Sequence, residues 1–177
     1  TYPNFWRDLE RVKKTLPQKN IILTGMRGTG KSMLGKLLAQ KLKRQFVDLD
    51  RYIEKKARMS IAEIVLKHGW NYFRRLEVKA VKEIARMKSI VISTGGGTLI
   101  SKRNEDILKK NGRVILLESE IRILKKRLRN KKDRPSLTDA KNFLHELNEI
   151  YRQRKKRYHE VADAILDTSL TTRNEQK

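Results

Sequence analysis

Cysteine is absent from the 177 residues, which excludes disulfides and thiolate metal sites and fits a reducing compartment. No run of about 18 apolar residues occurs, so no segment reads as a membrane-spanning helix. The N-terminus lacks the apolar core of a signal peptide, and a cytoplasmic location is expected. Aromatic residues make up only 6%, which weakens any platform for stacking single-stranded bases. Internal repeats and low-complexity linkers are missing too, and the length fits one domain with a buried core. Thr1 stands where an initiator Met would, which points to processing or to excision from a longer protein.

Positive charge is what the chain has in excess: 43 Lys and Arg against 20 Asp and Glu give a net +23. The basic residues spread over most helical segments, with denser clusters at 122–134 and 152–157. Three readings fit: a nucleic-acid partner, an enzyme for anionic substrates, or a solvated Lys-rich surface. Nucleic-acid binding is at most an added property, not the main function. The sequence does not fix the oligomeric state, and a monomer is expected.

Short apolar runs at 20–24, 45–49, 89–94, 113–117 and 163–167 alternate with helical patterns at 31–44, 60–88, 103–110, 119–130 and 139–161. Strands apolar on both faces, alternating with helices, imply an α/β fold with a five-stranded parallel sheet covered on both sides. Ser60 and Glu63 have capping-box spacing and should open a helix. Residues 1–19 form an extension in which Phe5, Trp6, Leu9, Val12 and Leu16 keep helical spacing, so a helix packed on the body is expected. Residues 171–177 read as a polar tail.

Residues 25–32, Gly-Met-Arg-Gly-Thr-Gly-Lys-Ser, follow the first apolar run and precede a helical pattern. This is a full G-x-x-x-x-G-K-S phosphate loop in its required place. Gly25, Gly28 and Gly30, with Thr29 between, let backbone N–H groups turn toward a polyphosphate. Lys31 can reach the β- and γ-phosphates, and the Ser32 hydroxyl can ligate Mg²⁺. The chain is expected to bind a nucleoside triphosphate.

The second strand ends in Asp48-Leu49-Asp50 beside that loop. Two-residue periodicity puts both carboxylates on one side of the chain, one for the Mg²⁺ shell and one to take a proton from an attacking hydroxyl. The blander alternative is that Asp50 caps a helix beginning at Arg51. The third strand ends in Ser93-Thr94 and the triple glycine 95–97; Ser93 should face Ser32, and the glycines suit a polar ligand lying against bare backbone. Arg74 and Glu77 are three apart on one helical face, as an ion pair or as a clamp for a substrate carboxylate. The basic run ending in Asp133-Arg134-Pro135 suits a lid that delivers an arginine to the transferring phosphoryl group. Asn130-Lys131-Lys132-Asp133 mimics a guanine-binding motif, but it follows a helical pattern and no Asp has Gly three residues later, so a GTPase is rejected.

Together the phosphate loop, Asp-x-Asp, Phe73-Arg74-x-x-Glu77, the triple glycine and Arg134-Pro135 resemble the shikimate kinase family, in its order and spacing, from about residue 20 to 170. The resemblance implies a nucleoside-monophosphate-kinase type of P-loop fold, a substrate-binding subdomain near 50–80 and a lid near 127–140. It implies ATP and Mg²⁺ as cofactors and phosphorylation of the 3-hydroxyl of shikimate. Lys31 and Ser32 would serve the phosphates and metal, with Asp48 and Ser93 in the metal's outer shell. Asp50 would bind the substrate hydroxyls and act as base. Arg74 and Arg154 would bind the carboxylate, joined by Glu77 and the backbone of Gly95, Gly96 and Gly97; Arg134 would act on the phosphates and Arg127 lie against adenine. Trp70 departs from the family's usual Glu after Gly, and Lys156 from its usual proline. The alternatives are a kinase for gluconate or another hydroxy-acid, and a P-loop ATPase with a regulatory or nucleic-acid-binding role.

Overall fold

The computed structural model describes residues 18–129 and 143–169. The expected lid beyond Arg129, with Arg134, the expected N-terminal helix before Gln18, and the polar tail lie outside the described residues.

Five strands form where the apolar runs stand: β1 (Asn20–Thr24), β2 (Phe46–Asp48), β3 (Val91–Ser93), β4 (Gly112–Glu118) and β5 (Ala164–Asp167). All pair in parallel, in the order β2-β3-β1-β4-β5. The described helices are α1 (Lys31–Leu42), α2 (Leu49–Ala57), α3 (Ile61–Ile84), α4 (Lys102–Lys109), α5 (Ile121–Leu128) and α6 (Phe143–Val161). Alternation along β1 explains why it is apolar throughout. Ile21 and Leu23 pack with Leu38 and Ala39 of α1, while Ile22 joins a second cluster with Ile53 of α2, Ile64 and Val81 of α3 and Leu108 of α4. Both faces of the sheet are therefore covered, as a parallel sheet requires. The chain runs from β1 out to β2 on one side and later crosses to β4 on the other, which opens a crevice at the strand C-termini beside β1.

Two local expectations are corrected. The helix over 60–88 is not continuous: its capping box forms, with Glu63 N donating to Ser60 Oγ at 3.2 Å and Ser60 N to Glu63 Oε2 at 2.7 Å, but Gly69 breaks it at φ 77°, ψ 168° and it ends at Ile84. No atom lies within 4 Å of a Cβ added at Gly69, so the glycine answers a backbone conformation and not crowding. Second, α2 begins at Leu49, two residues before the expected Arg51. Asp50 thus lies in its first turn, and Asp48 is the cap, its Oδ1 accepting from Arg51 N at 3.3 Å. Strand periodicity does not relate the two aspartates, because the strand stops at Asp48.

Candidate active site

The loop between β1 and α1 turns through three glycines with positive φ: Gly25 (135°), Gly28 (88°) and Gly30 (91°). At Gly25 a side chain is excluded twice over, since its Cβ would stand 2.2 Å from the Leu117 carbonyl oxygen. The buried Thr29 hydroxyl donates to the Met26 carbonyl at 2.9 Å and staples the loop from inside. Lys31 is nearly buried at the start of α1, and its Nζ donates to the carbonyls of Gly25 and Met26, each at 2.9 Å. The charge is thereby held at the loop, at the positive end of the helix dipole.

Ser32, Asp48 and Ser93 come together through sheet register. β2 pairs with β3 so that Asp48 lies level with Ser93, and α1 sets Ser32 against both. Ser32 Oγ donates to Asp48 Oδ2 at 2.6 Å and lies 3.3 Å from Ser93 Oγ. An all-oxygen donor set beside a phosphate loop fits Mg²⁺, a hard cation that prefers oxygen ligands.

Next to the loop is an open cavity. Every expected substrate-binding residue lines it: Asp50, Arg74, Glu77, the three glycines and Arg154. They come from α2, the second stretch of α3, the β3 end and α6. Trp70, Phe73, Arg74 and Glu77 follow i, i+3, i+4, i+7 spacing, one face of that stretch, and all four border the cavity. Glu77 is 1% exposed, and both oxygens are satisfied: Oε2 accepts from Arg74 Nη1 and Oε1 from Thr98 Oγ1, each at 2.8 Å. A carboxylate this buried needs such partners, because an unpaired charge there costs several kcal/mol.

The triple glycine has a reason that its sequence did not reveal. None of the three has positive φ. Instead, a Cβ at Gly95 would lie 2.7 Å from Asp50 Oδ1, and one at Gly97 would lie 2.8 Å from Arg74 Nη2. Each of these two glycines leaves room for one functional side chain. Gly96 Cα faces Arg154 and Tyr158, and its carbonyl accepts from the buried Tyr158 hydroxyl. Burial pushes the Tyr158 hydroxyl pKa up, with nearby Arg154 partly opposing.

Sequence reasoning missed Tyr158, which lies behind Gly96, and two lining residues of the cavity, Arg27 of the loop and the buried Glu146 of α6. Arg27 fills a variable position of the loop motif, and no local pattern marks Glu146 and Tyr158, because only the tertiary fold brings α6 over the loop. Arg127 does not border the cavity. It reaches from α5 to the carbonyls of Gly28 at 3.3 Å and Thr168 at 2.6 Å, and burial holds its guanidinium below the usual value, with Asp167 partly opposing.

A phosphate loop whose Met26 and Arg27 also wall a cavity lined by carboxylates and guanidinium groups defines a P-loop kinase of small molecules. The particular family follows from comparison with known proteins: a family model described as Shikimate kinase matches residues 27–176, and the chain belongs to the shikimate kinase family. Among its relatives, a shikimate kinase of Caldanaerobacter subterraneus is 42% identical over 153 residues, 85% of this chain and 87% of the relative. Shikimate kinase 2 of Photorhabdus laumondii is 38% identical over 154 residues, with the same coverage. A solved shikimate kinase of Acinetobacter baumannii, in complex with shikimate, superposes with a TM-score of 0.83 at 33% identity, covering 91% of this chain and 88% of that one. As a member of this family the chain is an ATP-dependent kinase.

Proposed function

We propose that this enzyme transfers the γ-phosphoryl group of ATP to the 3-hydroxyl of shikimate. The observation that carries the reading is the shared wall: Met26 and Arg27 belong both to the phosphate loop and to the cavity that holds Asp50, Arg74 and Arg154. Arg74 and Arg154 supply two cationic groups for one carboxylate, and bidentate charge-assisted hydrogen bonds fix the ring's orientation. Trp70, Phe73 and Ile150 give the cavity an apolar side that suits a carbocycle better than an open-chain polyol. Asp50, 7% exposed and against Gly95, accepts the proton of the attacking hydroxyl. That oxygen bonds to the γ-phosphorus while the bond to the bridging oxygen of the departing ADP breaks, and Lys31 and the loop's N–H groups stabilise the charge on the phosphate oxygens.

Ser32 would hold Mg²⁺, with Asp48 and Ser93 around it; the ion, when bound, offsets charge on the β- and γ-phosphates. In this reading residues 50–80 form the substrate side, about 127–140 the lid, and Arg134 acts on the phosphates with Arg127 at the nucleotide. One chain supplies every side chain used, so a monomer suffices, and the cytoplasm is its expected location. The test is product formation with ATP and, separately, shikimate, gluconate and nucleoside monophosphates. Phosphorylation of shikimate well above the others is expected; a preference for gluconate or a nucleotide refutes the reading.

A further inference from the structure

We infer that Trp70 is a positioning residue for Arg74 and, through it, sets the preference for a substrate bearing a carboxylate. The inference rests on the proposed reading of the cavity as the shikimate site. A guanidinium group is a flat cation with two faces and a rim of N–H donors. The Arg74 guanidinium carbon lies 5.6 Å from the centre of the Trp70 ring and 5.2 Å from that of Phe73. The two rings brace each other edge to face, with centroids 5.7 Å apart at 83°. Nη1 is tied to Glu77 at 2.8 Å, and Gly97 brings its backbone close to Nη2. Aromatic contact and one fixed end of the rim therefore restrict how Arg74, a long and otherwise mobile side chain, can point.

Trp70 itself is only partly buried and borders the cavity, whereas Ile64 and Val81 of the same helix are fully buried in the core. It follows directly on the break at Gly69 and precedes Arg74 by one helical turn. The chemistry of an indole matters here. Its face attracts a cation through the ring quadrupole without neutralising it, so the positive charge stays available to an incoming anion. Glu77 already supplies one carboxylate to Arg74; a neutral ring at position 70 holds the group in place without adding a second.

The test compares KM and kcat of the wild type, Trp70→Leu and Trp70→Phe on shikimate and on shikimate methyl ester, alongside thermal melts. Trp70→Leu should raise KM for the acid roughly three- to ten-fold, the scale of a stacked cation, with kcat nearly unchanged. Trp70→Phe should recover most of the loss, and on the ester the penalty should be several-fold smaller, because a neutral ester meets Arg74 only weakly while the wall contact of residue 70 with the ring is common to both substrates. Should Trp70→Leu melt below the assay temperature, Trp70→Met carries the same comparison with a flexible side chain. Equal penalties on acid and ester, an unchanged KM for the acid, or a loss confined to kcat overturns the inference. A wild type active on shikimate with indifferent Trp70 variants refutes this inference alone, whereas a wild type that ignores shikimate refutes the proposed function and this inference with it.

Discussion

Replacing Gly97 with alanine separates a functional reason for the triple glycine from a conformational one. The backbone at Gly97 sits at φ −106°, ψ −7°, which alanine adopts without strain, so the fold should survive. Removing a glycine from such a site stabilises a chain by about 0.4–1 kcal/mol through the unfolded state. The added Cβ would meet Arg74 Nη2 at 2.8 Å and Nη1 at 3.2 Å, where ordinary contact begins at 3.4 Å. The guanidinium tip, at the end of a flexible side chain, must give way by about half an ångström, and displacements of about 1 Å in positioning groups can cost 10²-fold. Full loss of one charge-assisted hydrogen bond is worth about 1.5–3 kcal/mol, or roughly 10- to 150-fold in affinity. A partial retreat should therefore raise KM for shikimate roughly 10-fold, with KM for ATP unchanged and the melting temperature equal or higher. In an Arg74→Ala background the same substitution should add nothing further, because the group it displaces is gone. Steady-state kinetics with both substrates and a thermal melt decide the matter. An unchanged KM for shikimate in a folded variant, or full additivity with Arg74→Ala, refutes the placement of the carboxylate at Arg74.

Asp50→Asn should lower turnover by about 10² to 10⁴, the range for a positioned base, while the melting temperature stays close to wild type, because the cap of α2 is Asp48; near-native turnover would show that Asp50 is not the base. Lys31→Met should abolish turnover and also lower stability modestly, because two hydrogen bonds to the Gly25 and Met26 carbonyls go with the ammonium; a normal kcat would reject the phosphate-loop assignment. Glu105→Gln tests an ion cluster away from the cavity. Burial alone would raise the Glu105 pKa, but hydrogen bonds from Lys102 and Arg157 outweigh it and hold the carboxyl below its ordinary value. A depressed carboxylate stabilises the fold above its unfolded pKa, near ~4.3, and loses that contribution as pH falls through the folded value. The variant should melt below wild type at neutral pH and approach it in acid below about pH 4; a gap that stays constant with pH would refute the pairing.

The sequence by itself determined the elements whose signal is local. The phosphate loop is legible because its glycines, lysine and serine must all act within one strand-to-helix turn. β1 and β3 are legible because burial on both faces makes each an apolar run, the edge strand β5 by its apolar run although it stays largely exposed, and the α3 capping box because it spans only four residues. Chemical types were legible too: carboxylates and guanidinium groups, found again around one cavity, and the Ser32 and Ser93 hydroxyls, found together with Asp48 beside the phosphate loop. Where local reading failed, the deciding contact was distant. Whether Asp48 or Asp50 caps α2 depended on where β2 stops, and β2 is set by its pairing with β3, more than forty residues on. The cluster at 152–157 offered several equivalent cations; α6 packing turns Arg154 into the cavity and ties Arg157 to Glu105. Glycines 95 and 97 border the cavity, and they have a second reason that no local pattern shows: they make room for Asp50 and Arg74, which arrive from other helices. The Tyr158 hydroxyl meets the Gly96 carbonyl 62 residues away. Spacing along the chain encodes what a single turn of backbone can do, whereas the order of strands in the sheet decides which side chains share a cavity.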